Sequence, residues 1–147
     1  MPENRPATIM LIEDDPGHAR LIERNLRRAQ VVNEILLFAD GQQAVQYLFH
    51  TRAYAQSRHP LPLLVLLDLN LPGLDGYQIL AQLKGDHRTK HIPVIVLTTT
   101  DEPKDIERCY NLGCNVYMTK SVEYAKFARA IQSLGLFLSV VKIPNGV

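Results

Sequence analysis

Apolar residues in this chain fall into short unbroken runs separated by stretches of helical periodicity. Residues 63–67 read Leu-Leu-Val-Leu-Leu, and the run stops abruptly at Asp68. A short apolar run bounded by turn residues reads as a strand buried on both faces, as in a parallel sheet. Pro72, Gly73, Asp75 and Gly76 make the segment after it a tight, specified loop. Shorter runs at residues 8–12, 34–38, 94–97 and 116–118 predict four more strands.

Between the strands the period changes. Pro16 follows Asp15, a good N-cap, and a helix is predicted to about Ala29, with Leu21, Ile22 and Leu26 among its apolar positions. Asp40 caps a second helix to about Phe49, with Ala44, Val45 and Leu48 inward. Tyr77, Ile79, Leu80 and Leu83 set the phase of a third, which ends near Gly85. A fourth covers residues 103–112 and ends at Gly113, a favourable C-cap. The last is predicted over about residues 122–140, with Phe127, Ile131, Leu134 and Leu138 on one stripe. Residues 52–62 read as the one longer loop. Strand and helix thus alternate five times, which predicts an α/β doubly wound parallel sheet with right-handed crossovers and helices on both faces.

Composition narrows the picture mainly by exclusion. A length of 147 residues fits a single domain with a proper core. A net charge of +1 gives no electrostatic case for nucleic acid or an acidic membrane surface. With no apolar run of spanning length and no signal peptide at residues 1–12, the expected location is the cytoplasm. Cys109 and Cys114 have no His-rich neighbourhood, so they read as reduced structural thiols rather than zinc ligands.

In such a sheet the C-terminal ends of the strands gather on one edge, where ligands bind. The first strand ends at Glu13-Asp14, the third at Asp68, the fourth at Thr98, and Lys120 follows the fifth. Each has an ordinary alternative: acids cap helices, threonines end strands, and a lysine after a strand is usually solvated. All four following consecutive buried strands points instead to one site.

These residues resemble the receiver domain of bacterial two-component response regulators. The resemblance covers roughly residues 8–132. It rests on Glu13-Asp14, on the segment Asp-Leu-Asn-Leu-Pro-Gly-Leu-Asp-Gly at 68–76, on Thr98, and on Lys120 with Tyr117 three residues before it. Leu-Asp-Leu-Asn-Leu-Pro at 67–72, Leu-Thr-Thr at 97–99 and Tyr-Met-Thr-Lys-Ser at 117–121 narrow it. With the long loop before the third strand and the extended last helix, they look like the small single-domain regulators paired with bacterial phytochrome histidine kinases.

The resemblance implies a flavodoxin-like (βα)5 fold with strand order 2-1-3-4-5. It implies that Asp68 accepts a phosphoryl group from a histidine kinase as an acyl phosphate. Magnesium, or manganese, would sit on Asp14 and Asp68 directly, on the backbone carbonyl of Asn70, and on Glu13 mostly through water. Lys120 and Thr98 would serve the phosphoryl oxygens, and Thr98 with Tyr117 would form the switch that alters protein contacts. Tyr117 also reads as a strand tyrosine half-buried against the last helix. Ser121 departs from the broad family, where a proline, commonly cis, follows the lysine. A cis bond here would cost about 3–4 kcal/mol, so it is trans or enforced by its surroundings.

Other readings fit less well. A flavin carrier needs a phosphate loop where this chain has Glu13-Asp14-Asp15, and an Asp-nucleophile phosphohydrolase commonly has an acid where Asn70 stands. A degenerate scaffold would not keep every acceptor residue. No output domain fits in the remaining residues, so output is expected through protein contacts or by relay to a histidine phosphotransfer protein, without nucleic acid or membrane. Residues 18–21 and 121–122 are candidates for the kinase dock. The apolar tail with Leu136, Phe137, Leu138, Val140, Val141 and Ile143 predicts a homodimer through residues 133–147, or else a tail folded back on its own sheet.

Overall fold

Among the described residues five strands and five α-helices alternate: β1 (Thr8–Ile12), α1 (Pro16–Arg28), β2 (Glu34–Phe38), α2 (Gly41–Phe49), β3 (Leu64–Asp68), α3 (Gly76–Gly85), β4 (Val94–Thr98), α4 (Pro103–Leu112), β5 (Val116–Thr119) and α5 (Tyr124–Ser133). They are seen in a computed structural model, which describes residues 7–99, 101–120 and 124–133. The strands form one parallel sheet in the order β2-β1-β3-β4-β5, the flavodoxin-like arrangement expected from the sequence.

The three central strands explain the unbroken apolar runs. Every residue of β1, β3 and β4 is buried, because helices cover both faces. Alternate side chains feed two cores. Ile9, Leu11, Leu64, Leu66, Ile95 and Leu97 pack against Ala19, Ile22 and Leu26 of α1 and Phe127 of α5. Met10, Ile12, Val65, Leu67, Val94 and Val96 pack against Ala44 and Leu48 of α2, Ile79, Leu80 and Leu83 of α3, and Cys109 of α4. Each buried Val, Leu, Ile, Met or Phe side chain among them contributes about 1.5–3 kcal/mol by leaving water.

Capping fixes where each helix begins, and so what faces the strand edge. The Asp15 carboxylate accepts the N–H groups of Gly17 (2.8 Å) and His18 (3.1 Å), with Pro16 at the first helical position. Asp40 accepts from Gln42, and Asp75 forms a reciprocal capping box with Gln78. Gly113 closes α4 in the left-handed region, φ 108°.

Several expectations are adjusted. Of the apolar positions of α1, Ile22 and Leu26 fill the inward stripe and Leu21 is 42% exposed. Val45 is only half-buried. The third strand starts at Leu64, and β4 and β5 each run one residue further, to Thr98 and Thr119, which pair in register. The predicted last helix beyond Ser133, the apolar tail and Ser121 with its peptide bond lie outside the described residues. Cys109 and Cys114 are free and buried, and burial pushes their thiols up to about 11 and 12, so they stay protonated.

The long loop is more ordered than a linker. It opens with a 3-10 turn at Arg52–Tyr54. His59 stacks between Tyr47 (centroids 3.6 Å apart) and His50 (4.2 Å). His59 Nε2 lies 2.7 Å from the Tyr47 carbonyl oxygen, and Ser57 bonds His59 Nδ1. Tyr47 and Tyr54 in turn pack on Phe38 at the end of β2.

Candidate functional site

Three strand ends supply the site. Glu13 directly follows β1 and is anchored by its N–H, which donates to the Phe38 carbonyl at 2.9 Å. Asp68 is the last residue of β3. Lys120 directly follows β5, and its N–H donates to the Thr98 carbonyl at 2.8 Å, tying it to the end of β4. The parallel sheet thus brings together residues 107 positions apart, the difference between 120 and 13.

The carboxylates crowd one another. Ligand oxygens of Glu13, Asp14 and Asp68 lie within 4.8 Å of one another. Glu13 is 1% exposed and Asp68 2%, while Asp14 opens to solvent. The Lys120 ammonium lies 2.8 Å from Glu13 Oε1, and donates to Asp68 Oδ2 at 3.0 Å. It also donates to His18 Nδ1 at 3.0 Å. Asp68 Oδ1 accepts the Asn70 N–H at 3.0 Å, and Glu13 Oε2 accepts the Asp15 N–H at 3.0 Å.

The charges do not balance. Three carboxylates against one ammonium leave two negative charges in excess when all are ionised. At this spacing each uncompensated pair costs about 3–4 kcal/mol at an effective dielectric of 20. Burial raises the Glu13 pKa, with the Asp68 charge adding to it, against the opposing hydrogen bonds from Lys120 and the Asp15 N–H. Burial acts to lower the Lys120 pKa, but its bonds to Glu13 and Asp68 outweigh that and the net shift is upward. The ammonium therefore stays charged. The oxygen-only donor set, the excess negative charge and the open Asp14 side together suit a hard divalent cation.

Thr98 ends β4 and Tyr117 lies on β5, the two strands next to β3 on that side of the sheet. Thr98 is buried at the end of β4, one residue past Leu97, the register partner of Asp68. Tyr117 is half-buried on β5 opposite Val96, and packs with the second core rather than against α5. Its hydroxyl is pushed up to about 12, first by burial and then by Cys109 and Asp105. Nearby, Tyr77 of α3 donates to Asp105 Oδ1 at 3.0 Å, and the Arg108 guanidinium covers the Tyr77 ring at 3.8 Å. These contacts join α3 to α4 beside Tyr117.

The structure brings Glu13, Asp14, Asp68 and Lys120 together on one edge, and Asn70, expected there through its carbonyl, contacts Asp68 through its N–H. The sequence reading missed the contact between His18 and Lys120. No spacing rule links positions 102 apart, but the Asp15-Pro16 cap did place His18 on the first turn of α1, over the strand edge.

Residues 9–132 match the family described as the response regulator receiver domain. Response regulator Rcp1 of a Synechocystis strain is 37% identical over 142 residues, 96% of this chain and 95% of that protein. The Mn(2+)-bound form of Rcp1 superposes with a TM-score of 0.74 at 34% identity, covering 97% of this chain and 98% of that one. The bacteriophytochrome response regulator AtBRR gives a TM-score of 0.80 at 40% identity, over 90% of this chain and 95% of that one. The phosphorylated cyanobacterial phytochrome response regulator RcpA gives 0.76 at 37% identity, over 96% and 100%. With the strand order, the acidic cluster and the lysine in place, the chain belongs to the response regulator receiver domain family, and its relatives along nearly its whole length include phytochrome response regulators.

Proposed function

We propose that Asp68 accepts a phosphoryl group from a phosphohistidine of a histidine kinase, and that the kinase is a phytochrome. The supporting observation is Asp68 itself: a carboxylate 2% exposed at the end of β3, held at one oxygen by the Asn70 N–H and at the other by the Lys120 ammonium. A carboxylate oxygen of Asp68 attacks phosphorus, the P–N bond of the donor breaks, and the imidazole leaves with the electron pair and takes up a proton. The product is an acyl phosphate on Asp68. Positioning and charge neutralisation, more than covalent help, govern such a transfer.

Glu13, Asp14 and Asp68, with the Asn70 carbonyl, would hold magnesium or manganese, which when bound supplies the positive charge that the carboxylate cluster lacks. Lys120 offers a compact positive charge to one phosphoryl oxygen, and Thr98 a hydroxyl to another. Thr98 shifting toward the phosphoryl group leaves room for Tyr117, and β5 with α4 repacks. The protein then signals through contacts or passes the group to a histidine phosphotransfer protein. It acts as a signalling receiver and not as an enzyme on a separate substrate, with residues 1–147 as one domain and 133–147 as its dimerising extension.

Incubation with acetyl phosphate and Mg²⁺, followed by intact-mass measurement, tests the acceptor. The wild type gains one phosphoryl group and Asp68→Asn gains none. Equal uptake by Asp68→Asn would put the acceptor elsewhere.

A further inference from the structure

Among the described residues, the Lys120 ammonium has three partners. Two are buried carboxylates, Glu13 Oε1 at 2.8 Å and Asp68 Oδ2 at 3.0 Å. The third is His18 Nδ1 at 3.0 Å, from the first turn of α1. An ammonium has no lone pair, so His18 Nδ1 accepts in this contact, with Glu13 Oε2 and Asp15 Oδ2 each 3.9 Å from the same nitrogen. The surroundings of the three acceptors differ. Glu13 and Asp68 are 1% and 2% exposed, whereas the His18 side chain is 41% exposed. Lys120 is therefore suspended between a buried carboxylate pair and one neutral acceptor on the solvent side.

That asymmetry has a consequence for any incoming anion. The carboxylates pull the ammonium inward, to where it neutralises them. A phosphoryl oxygen arriving from solvent needs an N–H turned outward. His18 is the partner on that side, and as a neutral acceptor it is the one most easily replaced by an anionic oxygen. Holding an N–H in the direction where charge will develop avoids reorganisation during transfer.

We infer that His18 is a positioning residue for phosphoryl transfer: its Nδ1 holds the third Lys120 proton toward the mouth of the site until a phosphoryl oxygen takes its place. The inference rests on the reading of Asp68 as the acceptor.

Phosphoramidate with Mg²⁺ tests it without a kinase, so contacts of α1 with a partner do not enter. Its P–N bond breaks and ammonia leaves. His18→Ala is expected to phosphorylate about tenfold more slowly, the effect of one hydrogen bond to a charged group. His18→Asn, which places an oxygen where Nδ1 stood, restores most of the rate. His18→Gln, which places its oxygen where Nε2 stood, does not. His18→Ala at the wild-type rate, or Asn and Gln behaving alike, would overturn the inference. A second measurement needs no phosphorylation. In ¹⁵N spectra of the unphosphorylated protein, His18 should show almost wholly the Nε2–H tautomer, and Lys120→Met should lower its share to that of a free histidine. An Nδ1–H tautomer in the wild type, or one unmoved by Lys120→Met, overturns it. A wild type that takes no phosphoryl group while keeping the tautomer signature would instead refute the acceptor reading of Asp68.

Discussion

Gly76 sits so close to the end of β3 that a methyl group on its Cα would lie 2.5 Å from the carbonyl oxygen of Asp68 and 2.5 Å from Cα of Leu69. Both neighbours are backbone, so neither can swing aside. The Gly76 N–H also donates to the Leu69 carbonyl at 3.1 Å. The start of α3 is thereby pressed against the backbone of Asp68.

Gly76→Ala is therefore expected to destabilise the fold by about 1–3 kcal/mol, the usual range for overpacking. Because the displaced backbone is that of Asp68, cation affinity should fall with it. Thermal unfolding and a Mg²⁺ titration check this. An unchanged midpoint would mean that the α3 start yields more easily than its geometry suggests.

The excess negative charge predicts that divalent cations stabilise the folded chain. Mg²⁺ at one hundred times its dissociation constant should raise the melting temperature by about 5–10 °C, and chelation should reverse the gain. Asp14→Asn removes the solvent-side carboxylate and should remove most of the shift. A melting temperature indifferent to Mg²⁺ would argue against a cation at this cluster.

Much of this was legible in the chain. Apolar runs marked the strands because β1, β3 and β4 are buried on both faces, and Asp15, Asp40, Asp75 and Gly113 punctuated the helices by local chemistry. Glu13, Asp68 and Lys120 could be placed together because a parallel sheet gathers its strand ends on one edge. What periodicity could not supply was contact between distant elements. Val45 read as inward, yet Ala44 and Leu48 take the buried stripe of α2, and Gly76 read as a turn residue when the spacing between α3 and β3 is what requires it.

The His59 stack predicts a local pH response. Burial lowers the His59 pKa, with the His50 charge adding to this, against an opposing bond to the Tyr47 carbonyl. A histidine with a depressed folded pKa is neutral in the fold while already protonated in the unfolded chain. Its contribution to stability is present above pH 6.5 and is lost as pH falls through the folded value. Amide exchange across residues 51–62 should accelerate as pH falls below 6.5, beyond the intrinsic rate change, and His59→Gln should flatten that dependence. Equal pH dependence in both proteins would exclude the stack as its origin.

Self-association is expected to depend on the apolar C-terminal residues Leu136, Phe137, Leu138, Val140, Val141 and Ile143, which lie outside the described structure. Light scattering at tens of micromolar should show a two-fold dimer for the full chain and a monomer for a chain truncated after Ser133. A full-length monomer, phosphorylated or not, rules the dimer out. A dimeric truncation moves the interface onto the receiver body.

The attachment of Lys120 to both Glu13 and Asp68 bears on how the protein is made. A ribosome that has released the chain only as far as β4 has delivered all three carboxylates and none of their counter-charge. Such a nascent fragment holds acids that repel whenever its strands pair. Emergence of β5 and Lys120 offsets part of that repulsion, so the site gains its one internal counter-charge only after the strands that carry its acids have been delivered.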